Sequence, residues 1–119
     1  WEDTMALLRK YRPKGVVHCF SGSAEMAADI IRLGMYIGLN GVATFKNARK
    51  SLEVAKTIPL DRLVLETDCP YLAPEPFRGR RNDSSYIIYI AKRLAPELNV
   101  SAQELLSITN ENARRLYNM

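Results

Sequence analysis

His18, Asn40, Glu66 and Asp68 stand at or just past the C-terminal ends of three short apolar runs, residues 15–20, 35–40 and 62–67. An imidazole and carboxylates converging on one spot suit a divalent metal. His18 is the only histidine in the chain, and one imidazole with one carboxylate falls short of the three protein ligands that are usual. Each residue also has a plainer role open to it. A lone strand histidine is often hydrogen-bonded core, Asp68 in Thr-Asp-Cys-Pro can organise a turn, and Glu66 can lie on an exposed edge. The second concentration of chemistry is Phe77-Arg78-Gly79-Arg80-Arg81-Asn82, three guanidiniums shortly after Asp68. Arginine forks suit the bidentate grip of phosphate oxygens, although a solvated basic loop reads the same way. Lys46 and Asn47, past the second run, belong to the same rim.

The elements that must position these groups alternate strand with helix. The run 15–20 is β-branched and stops at Ser21-Gly22-Ser23. A helix follows over 24–33, with Ser23 as N-cap and Gly34 as the residue beyond its end. The run 35–40 is the second strand, 47–56 the next helix, and 62–67 the third strand. Continuous apolar strands separated by short helices predict a parallel sheet covered by helices, with right-handed crossovers. In such sheets ligands bind at the C-terminal edge of the strands, where loops and helix N-termini converge. Alternation sets Val16, His18 and Phe20 on the interior face, with Val17 and Cys19 toward the helices. On the third strand Val64, Glu66 and Asp68 share a face.

Around this core, residues 4–11 predict a leading helix closed by Pro13 and Gly15. Residues 69–82 form a loop rich in proline, and loops of that length inside a compact domain are usually functional. Asp83 caps a helix running to Leu94. Ser101-Ala102-Gln103-Glu104 reads as a capping box, and Thr109 as the cap of a separate last helix. Cys19 and Cys69 have no zinc or redox spacing and read as packing residues, with a reducing cytoplasm as the expected location. The formal net charge of +4 permits a polyanionic partner without requiring one. No apolar run approaches the roughly 18 residues of a membrane span, so no membrane partner is expected.

Three stretches together resemble the TatD family of metal-dependent deoxyribonucleases. They are His18-Cys19-Phe20-Ser21-Gly22-Ser23; Tyr36-Ile37-Gly38-Leu39-Asn40-Gly41 with Thr44-Phe45-Lys46-Asn47-Ala48; and the run 58–74 ending Leu65-Glu66-Thr67-Asp68-Cys69-Pro70. Arg78-Gly79-Arg80-Arg81-Asn82 and the closing Thr109-Asn110-Glu111-Asn112-Ala113-Arg114 match as well, so the resemblance covers the whole chain. It implies an α/β fold: the C-terminal part of a TIM-like barrel of the amidohydrolase type, contributing its last three parallel strands. It further implies one or two divalent ions (Mg, Mn or Zn) and a DNA substrate. By motif, His18 and Asp68 would be metal ligands, and Asp68 would also take a proton from the attacking water. Glu66 and Asn40 would orient a ligand or water, while Arg78, Arg80, Arg81 and Lys46 would meet phosphate.

The resemblance also implies residues that the chain does not have. The family's first-strand His-x-His pair cannot exist in a sequence with one histidine, and a complete barrel runs to about 250 residues. The expectation is therefore a single partial domain, 1–119, with an incomplete metal site that binds metal weakly and is inactive alone. Its open sheet edges should pair with a missing N-terminal half or with a second copy. The start at Trp1, inside an apparent helix, is read the same way, with processing or tagging as the alternative. Two other functions stay open: an amidohydrolase-type enzyme acting on an amide, ester or lactone, and an inactive half-barrel that only binds nucleic acid.

Overall fold

A computed structural model describes residues 1–118 of the chain. Helix α1 (Glu2–Tyr11) carries Glu2 and Asp3 in its first turn and Arg9 and Lys10 in its last, both signs complementing the helix dipole. Strand β1 (Val16–Val17), helix α2 (Ala24–Arg32), strand β2 (Tyr36–Leu39), helix α3 (Arg49–Thr57) and strand β3 (Leu63–Leu65) follow in order. Helix α4 (Ile87–Leu94) and helix α5 (Ala102–Tyr117) close the chain. Short 3-10 turns at Gly41–Thr44, Leu60–Arg62, Ser84–Tyr86 and Ala95–Leu98 join or extend the longer elements.

The sheet is parallel, in the order β1-β2-β3. Val17 pairs with Ile37, Gly38 with Val64 and Leu39 with Leu65. One face of the sheet meets the helices. Ile37, Leu39 and Leu63 are completely or almost completely buried there, in one apolar cluster with Ile30, Val54, Ile90, Leu94 and Leu105. Each such side chain is worth about 1.5–3 kcal/mol of burial, which makes this cluster the main support of the strands. Alternation leaves Tyr36, Gly38, Val64 and Glu66 on the opposite face.

Caps fall where the residue types place them. Ser23 Oγ accepts from the Met26 N–H, Ser101 Oγ accepts from the Glu104 N–H, and Gly34 takes the left-handed conformation (φ 85°) past α2. Asp83 caps the 3-10 turn that leads into α4. The C-terminal helix differs from expectation. Thr109 does not open a new helix but sits inside α5, where its hydroxyl donates to the Leu105 carbonyl at 2.8 Å. That bond to the preceding turn satisfies the hydroxyl without breaking the helix. Three positions on, the buried Asn112 donates from Nδ2 to the carbonyls of Leu60 and Leu63, at 2.6 and 2.7 Å, tying α5 to the start of β3.

The first strand is shorter than its sequence suggested. Cys19 adopts φ 49°, in the left-handed region, so the alternation expected across 15–20 breaks. Phe20 turns into the helix-side core with Met5 and Ala27 and packs its ring on Trp1, centroids 5.4 Å apart. The chain stays attached to the sheet, because the Phe20 N–H donates to the Gly38 carbonyl at 3.0 Å.

Candidate active site

The left-handed turn at Cys19 rearranges the edge. His18 projects outward, its side chain 71% exposed, while Glu66 lies at 21% across the same strand ends. His18 Nδ1 and Glu66 Oε1 are 3.8 Å apart, an ion-pair distance rather than a hydrogen bond. Glu66 accepts a hydrogen bond from the Cys19 backbone N–H. Its carboxylate occupies room that a side chain at position 38 would fill, so Gly38 is required there: an added Cβ would overlap Glu66 and stand 3.2 Å from His18 Cα. Burial pushes the Glu66 carboxyl above the usual carboxylate range. The Cys19 N–H and then His18 pull it back, and the neighbouring charge of Asp68 adds to the rise.

Asn40 organises the centre. Only 4% exposed, its Oδ1 accepts from the Val42 N–H at 3.0 Å and caps the turn after β2. Its Nδ2 donates to Asp68 Oδ2 and to Cys19 Sγ at 2.9 Å. The Cys19 thiol therefore belongs to the site, not to the helix layer that strand alternation had assigned it, because the positive φ reverses its direction. Burial pushes that thiol up, and Asp68 adds to it. Only adjacency to His18 in the sequence hinted at this placement.

The long loop is pinned rather than loose. Asn82, 4% exposed, donates from its backbone to the Pro70 carbonyl and from Nδ2 to the Tyr71 carbonyl, both at 2.8 Å. The Tyr71 N–H in turn donates to the Asp68 carbonyl at 2.8 Å. Gly41 allows the loop to approach β2: a Cβ there would run into the Leu72 carbonyl and stand 3.0 Å from Pro74 N. The Arg78 Cζ lies over the Phe45 ring, 3.9 Å from its centroid. It shares a cavity of about 340 Å³ with Arg80, Tyr71 and Leu72. Arg81 is exposed on the same loop, close enough to Asp83 to help hold that carboxyl down. Lys46 lines a different groove, with Arg49, Lys56 and Glu97 along α3.

A family model described as TatD related DNase matches residues 1–118. The chain belongs to the TatD family. It is 46% identical over 119 residues to the uncharacterized metal-dependent hydrolase YabD of Bacillus subtilis, covering 98% of this chain and 47% of that protein. It is 38% identical over 112 residues to the 3'-5' ssDNA/RNA exonuclease TatD of Rahnella, covering 88% of this chain and 42% of that one. The crystal structure of YJJV, a TatD homologue from Escherichia coli, superposes with a TM-score of 0.90 at 31% identity, over 99% of this chain and 46% of that chain.

The chain thus spans about half the length of the TatD relatives it matches, and its sheet is the parallel portion of a TIM-like barrel of the metal-dependent hydrolase type. Among the described residues no three His, Cys, Asp or Glu side chains come together as a metal site. His18 and Asp68 offer two donors on one edge, which is less than an ion requires. Among the described residues no helix is long and apolar enough to cross a membrane.

Proposed function

We propose that the protein is a metal-dependent phosphodiesterase of the TatD type, a deoxyribonuclease that cleaves DNA. The observation that supports this reading best is the position of Asp68. Its carboxylate is fixed by buried Asn40 and its carbonyl by the loop that carries Arg78 and Arg80. A proton acceptor thus precedes, on one pinned segment of chain, the cations proposed to bind phosphate. The name of the Rahnella relative points the same way.

In the proposed reaction water attacks the phosphorus, its proton passes to Asp68, the bond from phosphorus to the sugar oxygen breaks, and that oxygen leaves as an alcohol after taking a proton from solvent. The guanidiniums of Arg78, Arg80 and Arg81 hold phosphoryl oxygens, and Glu66 keeps His18 oriented. His18 and Asp68 supply part of the donor set for a divalent ion, Mg, Mn or Zn. Further donors come from the portion of the TatD barrel that this chain does not span, and without them the chain has little activity. That portion, or a second copy, covers the open edges at β1 and β3, and sedimentation of the chain as a compact monomer at all concentrations would count against this. The two free cysteines fit a reducing, cytoplasmic setting.

The test is cleavage of an end-labelled oligodeoxynucleotide by the full-length protein carrying this chain, with each metal and with chelator. Metal-dependent cleavage that falls at least about a hundredfold in Asp68→Asn supports the reading. Hydrolysis of small esters or lactones with intact DNA would assign the amidohydrolase alternative. Salt-sensitive DNA binding with no cleavage under any metal would leave a nucleic-acid-binding half-barrel.

A further inference from the structure

Cys19 holds a backbone conformation that its residue type rarely takes. Its φ of 49° lies in the left-handed region, where glycine and, less often, asparagine or aspartate are the usual occupants. The strain persists because the chain is tied down on both sides. The Phe20 N–H donates to the Gly38 carbonyl at 3.0 Å, and the Cys19 N–H donates to Glu66 Oε1. A glycine could make the second bond and permit the first without strain, so the backbone alone gives no reason for a side chain at position 19. A strained residue held in this way points to a function for its side chain.

The contacts of the thiol supply that function. Sγ accepts from Asn40 Nδ2 at 2.9 Å, and the same nitrogen donates to Asp68 Oδ2. The amide nitrogen is thus shared between thiol and carboxylate, while the amide oxygen takes the Val42 N–H. Without Sγ, the nitrogen of a side chain only 4% exposed loses one of its partners, and the amide is no longer held on the side away from Asp68. Through its backbone the same residue holds Glu66, whose carboxylate stands 3.8 Å from His18 Nδ1. We propose that Cys19 is a positioning residue for the metal site: its thiol sets the Asn40 amide that orients Asp68, while its N–H fixes the Glu66 carboxylate beside His18. Cys19, Asn40, Glu66 and Asp68 are all buried or half-buried, and every contact lies within this chain. The inference rests on the metal-ligand role proposed for Asp68 and adds to it a part for the neighbouring thiol.

Two truncations separate positioning from packing. In the full-length protein, Cys19→Ala keeps the left-handed strain and removes the thiol, whereas Cys19→Gly removes both. Each keeps the N–H that serves Glu66. Cys19→Gly should resist urea better than Cys19→Ala. Both should nevertheless bind metal about 10- to 100-fold more weakly than the parent, in calorimetric titrations with Mg²⁺, Mn²⁺ and Zn²⁺ in turn and no substrate. Cys19→Ser, which keeps an acceptor for Asn40 Nδ2, should recover much of that affinity. Parent-like metal affinity in Cys19→Gly would overturn the proposal. So would affinity that rises from Cys19→Ala to Cys19→Gly in step with stability, because the thiol would then be packing. Failure of the nuclease reading looks different: metal affinity would still depend on the thiol while no metal supports DNA cleavage. Metal-dependent cleavage with an affinity indifferent to the side chain at position 19 would retain the nuclease and remove the positioning role. A parent with no affinity for any of the three ions would overturn both.

Discussion

One carboxamide, that of Asn40, donates to Asp68 Oδ2 and to Cys19 Sγ. Its oxygen is occupied by the Val42 N–H, so the side chain cannot rotate without losing three bonds at once. The end of β2 thereby fixes the direction of the carboxylate that follows β3. If Asp68 takes the role proposed for it, a group that orients it in this way matters about 10- to 100-fold. Asn40→Ala in the full-length protein should lower metal-dependent DNA cleavage by that factor. Asn40→Asp should lower it further by setting a second negative charge against Asp68. Unchanged turnover in Asn40→Ala would mean that Asp68 is positioned without it.

Gly38 makes a prediction of a different kind, since what opposes a side chain there is chiefly the Glu66 carboxylate. Gly38→Ala should destabilise the fold by about 1–3 kcal/mol, the usual range for overpacking, as read by urea unfolding. Because the clash involves a side chain, Glu66→Ala should relieve part of it, and the double variant should be more stable than the sum of the singles implies. Strict additivity would place the strain in the His18 backbone instead.

The parts legible in the sequence are those governed by local chemistry. Ser23, Asp83 and Ser101 cap where their types demand, Gly34 ends α2, and the apolar runs become parallel strands in order. Two features were not legible, for one shared reason. The direction of Cys19 depends on a left-handed φ at a residue type that rarely adopts one, stabilised by Glu66 from a distant strand. The continuity of α5 through Thr109 depends on tertiary packing that holds Asn112 against β3. Lys46 shows the same limit: next to Phe45 in sequence, it lies on a separate groove because one residue's step at a turn changes the face.

The acid limb of stability should report the cap of α4. Asp83 Oδ1 accepts from the Ser85 N–H and hydroxyl, at 2.8 and 2.7 Å, and these bonds hold its carboxyl below the ordinary aspartate range, with Arg81 adding a smaller pull. A folded-state pKa depressed below the unfolded one means that the stabilisation is present above the unfolded pKa. It is lost as pH falls through the folded value. Asp83→Asn keeps a capping oxygen without titrating. Between about pH 5 and pH 2, thermal unfolding should therefore shift less with pH in Asp83→Asn than in the parent. Parallel curves would show that Asp83 contributes nothing to the acid transition.

Asn112 carries the largest stability prediction. It is 1% exposed, and its Nδ2 serves the carbonyls of Leu60 and Leu63, while Arg115 donates to its Oδ1. Removing the carboxamide takes the side-chain donor from both carbonyls beneath α5, the Leu60 carbonyl keeping the Leu63 N–H, and losing a buried hydrogen-bond partner costs about 1–3 kcal/mol. Asn112→Ala should therefore lose about 2–4 kcal/mol in urea unfolding. Asn112→Asp should be no better, because a carboxylate presents lone pairs to both carbonyls where donors are needed. Thr109→Ala is the control one helical turn earlier. Its hydroxyl bonds only within α5, and its loss should cost about 1 kcal/mol or less. If the two alanine variants were equally destabilised, the link from α5 to β3 would be ordinary helix packing rather than the specific tie that sets the base of the strand bearing Glu66 and Asp68.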